Sequence, residues 1–122
     1  MFKKSLDMEK LEKVISKFST DRNWDQFHSI KNLSMALSVE TSELVEIFQW
    51  ISEADSNAIM LNEEKFSDVK DEVADIFVYL LRISSKLNID LEEVVLKKMK
   101  DNEVKYPVET SHGDSRKYNE KS

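Results

Sequence analysis

Glu63-Glu-Lys-Phe-Ser-Asp-Val-Lys-Asp-Glu-Val-Ala-Asp-Ile-Phe-Val-Tyr-Leu-Leu-Arg-Ile-Ser-Ser-Lys-Leu87 is the longest and most apolar periodic stretch of the sequence. Phe66, Val69, Val73, Ile76, Phe77, Leu80 and Ile83 recur at helical spacing, so the segment predicts one long helix with an apolar stripe. Asn88-Ile-Asp90 is a short connection. Asp90 with Glu93 three residues on matches a capping box, which starts a further helix running to about Tyr106. Pro107 stops it, having no amide to donate and disfavouring a helical residue before it. Toward the N-terminus, Leu33, Ala36, Leu37, Leu44, Ile47, Phe48 and Ile51 predict a helix over about 30–52, ended by the polar run Glu53 to Asn57. Met8, Leu11, Val14, Ile15 and Phe18 predict another over about 7–19, with a loop over 20–29. From Val108 onward the sequence is polar and aperiodic. Four helices with short connections make an all-α four-helix bundle over residues 1–107, followed by a tail over 108–122.

Composition supports that class. One glycine, Gly113, and one proline among 122 residues are too few for a many-stranded β protein, which turns at almost every connection. There is no cysteine, which removes disulfides, thiolate zinc sites and thiol nucleophiles. A net charge of -6 disfavours nucleic acid as a partner. The tightest apolar run, Ile76 to Leu81, is far short of a membrane span, and Asp7 and Glu9 interrupt any signal-peptide apolar region. A cytoplasmic protein without a membrane partner is expected. Outward faces of Phe48, Ile51, Phe77 and Leu81 would leave an apolar patch on a monomer, so a second copy is expected to cover it.

The residues that break the helical pattern carry the chemistry. Glu40 falls within about 20° of Leu33 and Ile51 on a helical wheel, in the centre of an apolar stripe, and Glu43 borders the same stripe. One such glutamate alone reads as a buried acid paired with a lysine or arginine. Two adjacent ones repel in a partly dry site and call for a multivalent cation. Glu72 and Asp75 repeat the i, i+3 arrangement on the long helix, with Tyr79 one turn beyond. Four oxygen donors on two helices suit a hard divalent ion, Mg²⁺ or alternatively Mn²⁺. A di-iron bundle would need a histidine three residues after a ligating glutamate, and neither His28 nor His112 supplies it. Trp24, Phe27 and His28 crowd a polar loop, and Trp50 stands near the end of the second helix. They read either as core plugs or as faces that stack on a nucleobase beside a metal-phosphate site. Lys98, Asn102 and Lys105 share one helix face, which is a solvated basic edge or, beside a polyanion, a clamp.

These motifs resemble the all-α nucleoside triphosphate pyrophosphohydrolases of the MazG-like group, and within them the dCTP pyrophosphatase branch. The hallmark Glu-x-x-Glu followed by Glu-x-x-Asp stands as Glu40-Thr-Ser-Glu43 and Glu72-Val-Ala-Asp75. Around it, Arg22-Asn-Trp-Asp-Gln-Phe-His28, Lys31-Asn-Leu33, Glu43-Leu-x-Glu-x-Phe-Gln-Trp50, Asp75-Ile-Phe-Val-Tyr79, Lys98-x-x-x-Asn102-Glu-x-Lys-Tyr-Pro107 and Ser111 to Tyr118 are similar to the branch.

The resemblance implies that Glu40, Glu43, Glu72 and Asp75 hold Mg²⁺ or orient water, and that the triphosphate is split to monophosphate and pyrophosphate. It implies base recognition by Trp24, His28 and Trp50. Lys98, Asn102, Lys105 and Tyr106 would face the phosphates, Lys117 would close over them, and Asn32 and Tyr79 would complete the substrate-binding set. It also implies a homotetramer, a dimer of dimers. Ile30 stands where relatives commonly carry proline, and Val39 and Ser42 replace small residues, which alters packing around the site. A non-catalytic helical oligomer that binds nucleotides or a partner protein is the alternative reading.

Overall fold

The structure, a computed structural model, describes residues 5–116, and these form helices and turns with no strand among them. In chain order they are α1 (Met8–Asp21), a 3-10 turn at Asp25–Phe27, α2 (Ile30–Phe48), α3 (Glu53–Asn57), a 3-10 turn at Ile59–Leu61, α4 (Glu63–Lys86), α5 (Leu91–Lys105) and α6 (Val108–Ser111). The chain divides into two compact units, Met1–Leu87 and Asn88–Ser122. Among the described residues no helix is long and apolar enough to cross a membrane.

Helix starts are set by side chains. Asp7, Ser29, Ser52, Asn62 and Asp90 each accept a hydrogen bond from the amide three residues on, at 3.0 to 3.1 Å. Each cap satisfies one of the donors a helix leaves orphaned at its first turn. Two helix ends use asparagine where glycine would be usual. Asn23 follows α1 with φ 55° and Asn88 follows α4 with φ 53°, both in the left-handed region that stops a helix.

Four long helices agree with the expectation, and three local details differ. The second helix stops at Phe48 rather than about Ser52, because Gln49 to Ile51 turn out of it and Ser52 caps a new helix. The polar run Glu53 to Asn57, expected only to end a helix, is itself α3. Beyond Pro107 the expected aperiodic stretch carries the single turn α6.

In the first unit α4 is the central element, packed most extensively against α2 and also against α1. Glu40 lies near Glu72, whereas the later residues Glu46 and Ile47 share a groove with the earlier Asp68 and Asp71, so α2 and α4 run antiparallel. Ser85 Oγ donates to Glu12 Oε1 at 3.0 Å and ties α1 to α4. Leu33 and Leu81 are the buried apolar side chains among the described residues. Leu81 therefore corrects the expectation that it faces outward: α4 turns it into the core of its own unit. Phe48, Ile51 and Phe77 stay half-buried.

Candidate active site

The antiparallel packing of α2 on α4 brings three carboxyl groups together. Oxygens of Glu40, Glu43 and Glu72 lie within 4.8 Å of one another. Glu40 and Glu72 are half-buried and Glu43 is exposed. One oxygen each of Glu40 and Glu72, the Oε2 atoms, is buried without a hydrogen-bond partner. Buried polar atoms normally find one, so with these acids ionised the two oxygens call for a positive ligand. The donors are all carboxylate oxygens, which suits a hard divalent cation such as Mg²⁺ rather than a soft or imidazole-seeking metal. The residues thus fit the metal that the spacing suggests. Asp75, a turn further along α4 and exposed, lies outside this group of three.

Without a cation the cluster holds a proton. The Glu72 carboxyl is pushed up to about 8, first by its hydrogen bond with Glu40, then by burial, by a hydrogen bond with Glu43 and by both neighbouring charges. The folded chain therefore favours the protonated acid more than the unfolded chain does. That contribution to stability is full below the ordinary value of 4.5 and is lost as pH rises through about 8. In chelator, the melting temperature should fall between about pH 5 and pH 8, and Glu72→Gln should flatten that slope. Parallel slopes for the two proteins would show that the cluster does not share a proton.

Beside the cluster lies a cavity of about 360 Å³ lined by Val14, Ile15, Phe18, Trp24, His28, Tyr79 and others, with Asp75 and Arg82 in its wall. Helix α4 contributes Asp75, Val78, Tyr79 and Arg82 at i, i+3, i+4 and i+7, one continuous face. Phe18 and Trp24 meet edge to face with ring centroids 5.6 Å apart. Tyr79 links cavity and cluster. Burial raises its phenol above the ordinary range, and the charges of Glu40 and Asp75 push it the same way.

The remaining candidates fall in different places. Asn32 donates its side-chain amide to the Phe27 carbonyl at 3.0 Å and its backbone amide to Ser29, fastening the turn that carries Trp24 and His28. Trp50 is 88% exposed and is absent from the cavity lining. Lys98, Asn102, Lys105 and Tyr106 belong to the second unit, where Lys98 and Lys105 are exposed and Asn102 accepts the Tyr106 amide through its carbonyl at 2.8 Å. Lys117 lies outside the described residues.

Two residues escaped the sequence reading. Arg82 is 6% exposed, and its Nη2 donates to Asp25 Oδ1 at 2.5 Å. Burial pushes Asp25 up, but hydrogen bonds from Arg82 and Thr20 and the charges of Arg82 and Lys86 outweigh it, and the net shift is down. The signal was available on one side only: an arginine seven residues after Asp75, close to the apolar stripe.

Comparison with known proteins shows the family. The sequence profile of the MazG-like family matches residues 35–120. Proteins named dCTP pyrophosphatase 1 from Rattus norvegicus and Homo sapiens are 33% identical over 111 residues and 32% identical over 113, covering 91% and 93% of this chain. The chain spans 65% and 66% of the length of those relatives. The crystal structure of a pyrophosphatase from Archaeoglobus fulgidus superposes with a TM-score of 0.75 at 36% identity, covering 88% of this chain and 98% of that one. A profile match over most of the chain that takes in Glu40, Glu43, Glu72 and Asp75, together with the shared fold, makes this chain a member of the MazG-like family.

Proposed function

We propose that this chain is a nucleoside triphosphate pyrophosphohydrolase, converting dCTP or a modified pyrimidine deoxynucleoside triphosphate to the monophosphate and pyrophosphate with Mg²⁺, or Mn²⁺ in its place. The observation that carries the reading is Tyr79: its surroundings join an aromatic cavity able to take a base to a carboxylate cluster able to take a metal. The names of the relatives supply the substrate class. Glu40, Glu43 and Glu72 would hold the cation, and Asp75, beside the cavity, is assigned as a further ligand or as the group that orients water. The cation, when bound, supplies charge neutralisation for the triphosphate and makes water more acidic.

In the reaction the oxygen of one water forms a new P–O bond, one phosphoanhydride P–O bond breaks to separate monophosphate from pyrophosphate, and a proton of the water passes to a carboxylate of the cluster. Trp24 offers a flat face to the base, and His28 and Tyr79 offer polar edges. Lys98, Asn102, Lys105, Tyr106 and Lys117 are proposed to meet the triphosphate, on the motif resemblance alone. With no cysteine in the chain and the acids converging on one volume, positioning and charge compensation replace covalent catalysis.

The test is a panel of canonical and modified nucleoside triphosphates with Mg²⁺, read as monophosphate and pyrophosphate. Hydrolysis led by dCTP or a modified pyrimidine is expected. Binding without turnover across the whole panel would favour the non-catalytic oligomer instead. A homotetramer is part of the same proposal, supported by the exposure of Val14, Val39, Val45 and Val73 in the first unit. Light scattering that finds a stable monomer at micromolar concentration would rule it out.

A further inference from the structure

Arg82 is a buried cation that the hydrolytic reading does not use. It sits in the cavity wall, and each of its terminal nitrogens faces a side chain from outside α4. Nη2 is 2.5 Å from Asp25 Oδ1 and 3.5 Å from His28 Nδ1, and Nη1 is 3.5 Å from Ser16 Oγ. Its Nε is buried without a partner. Keeping a guanidinium this dry costs stability unless its contacts are well made, so the Asp25 carboxylate is what allows it to stay.

We propose that Arg82, anchored by Asp25, is a positioning residue that holds His28 as a neutral imidazole with its proton on Nε2, giving the cavity a fixed N–H donor. A guanidinium has only donors and does not deprotonate in proteins. The ring nitrogen that faces it must therefore present a lone pair. With Nδ1 turned to Arg82, the single proton of the neutral ring resides on Nε2. The backbone is held too: Lys86 Nζ donates to the His28 carbonyl at 2.5 Å, and the His28 amide donates to the Asp25 carbonyl at 3.1 Å. Ring and main chain are thus fixed from one helix by two cations a turn apart.

The charges around the ring work in the same direction. Arg82 and Lys86 face it from α4, Asp25 from the turn, and Asp75 shares the cavity wall. Burial first, then Arg82 and Lys86, hold His28 below its ordinary range, and Asp25 offsets only part of this. An Nε2–H donor selects ligands that present an acceptor, such as a ring carbonyl oxygen or an unprotonated ring nitrogen on a pyrimidine edge. This role in selecting the base rests on the hydrolase reading above, whereas the tautomer does not.

The chain has two histidines, so long-range proton–nitrogen NMR on the whole protein resolves His28 with the exposed His112 as internal reference. At neutral pH, His28 is expected as the Nε2–H tautomer. An Nδ1–H tautomer or an imidazolium at His28 in the unmodified protein overturns the proposal without any variant. In Arg82→Met, which keeps the apolar stem, His28 should become a tautomer mixture and titrate higher than in the unmodified protein. KM for dCTP should rise about 3- to 10-fold, the worth of one hydrogen bond, with a smaller change in kcat. Should that variant not fold, Arg82→Met with Asp25→Asn removes both charges and carries the same expectation. A variant that keeps the Nε2–H tautomer, or that loses kcat with KM unchanged, rejects Arg82 as a positioning residue. An unmodified protein inactive toward every nucleotide would end the hydrolase reading alone, and the His28 tautomer would still decide the role of Arg82.

Discussion

Glu40→Gln should lower the rate of pyrophosphate release from dCTP by more than about 100-fold, beyond the loss usual when a group one step removed from a metal is changed. The same substitution should leave the metal-free melting temperature level or raise it. Both expectations come from one geometry. The Glu40 oxygens lie within 4.8 Å of two other carboxylates, and its Oε2 is buried without a partner. Removing its charge weakens the hold on a cation and relieves repulsion in the cation's absence. An ordinary structural acid behaves in the opposite way. If Glu40→Gln loses many degrees of melting temperature and keeps its rate, the cluster is part of the scaffold and the metal site is elsewhere.

Trp24→Ala should reduce kcat/KM for dCTP by about 5- to 150-fold, the equivalent of about 1 to 3 kcal/mol of base stacking, and narrow the preference for pyrimidine over purine. Its structural cost should be modest, because Trp24 is 44% exposed and touches Phe18 edge-on rather than filling a core. A buried tryptophan would instead cost about 3 to 5 kcal/mol of stability on truncation. Trp50→Ala serves as the contrast within the same chain. At 88% exposure its removal should change stability by less than about 0.5 kcal/mol. If kcat/KM falls as far for Trp50→Ala as for Trp24→Ala, the base is bound in an assembled site to which Trp50 contributes from a neighbouring copy. If neither variant affects kcat/KM, the stacking assignment fails.

The helices were legible to the extent that their signals are local. Period and caps lie within a few residues of the elements they define, so α4 and α5 were readable almost to their ends. The end of α2 was not, because Ile51 continues the apolar pattern for three residues after the backbone has turned away at Gln49. Ser52 and Asp55 form a cap inside a run that looked merely polar. The same distinction governs the site. Glu40, Glu43 and Glu72, which the fold brings together, stood out because the acid pairs repeat along each helix, whereas Asp75 of the second pair lies outside their group. Arg82 and Asp25 are 57 positions apart and have no shared local pattern, so only folding shows that they meet. Trp24 and Trp50 looked equivalent as sequence. The packing of the Asp25–Phe27 turn against α1 and α4 separates them, giving Trp24 a cavity and leaving Trp50 in solvent.

Among the described residues, five helices open on a cap supplied from within four residues, and two close on a left-handed asparagine. Such a chain can begin and end its helices before any distant parts have met, so loop-closure entropy weighs little on its folding rate. Docking of α2 on α4 is the non-local step, the one that brings Glu40 and Glu43 against Glu72. A divalent cation held by these carboxylates would gain its full ligand set only once that step is complete. If the ligand set is completed after the transition state, Mg²⁺ should prolong the lifetime of the folded state in denaturant and leave the refolding limb nearly unmoved; a faster refolding limb with Mg²⁺ would place the docking before it.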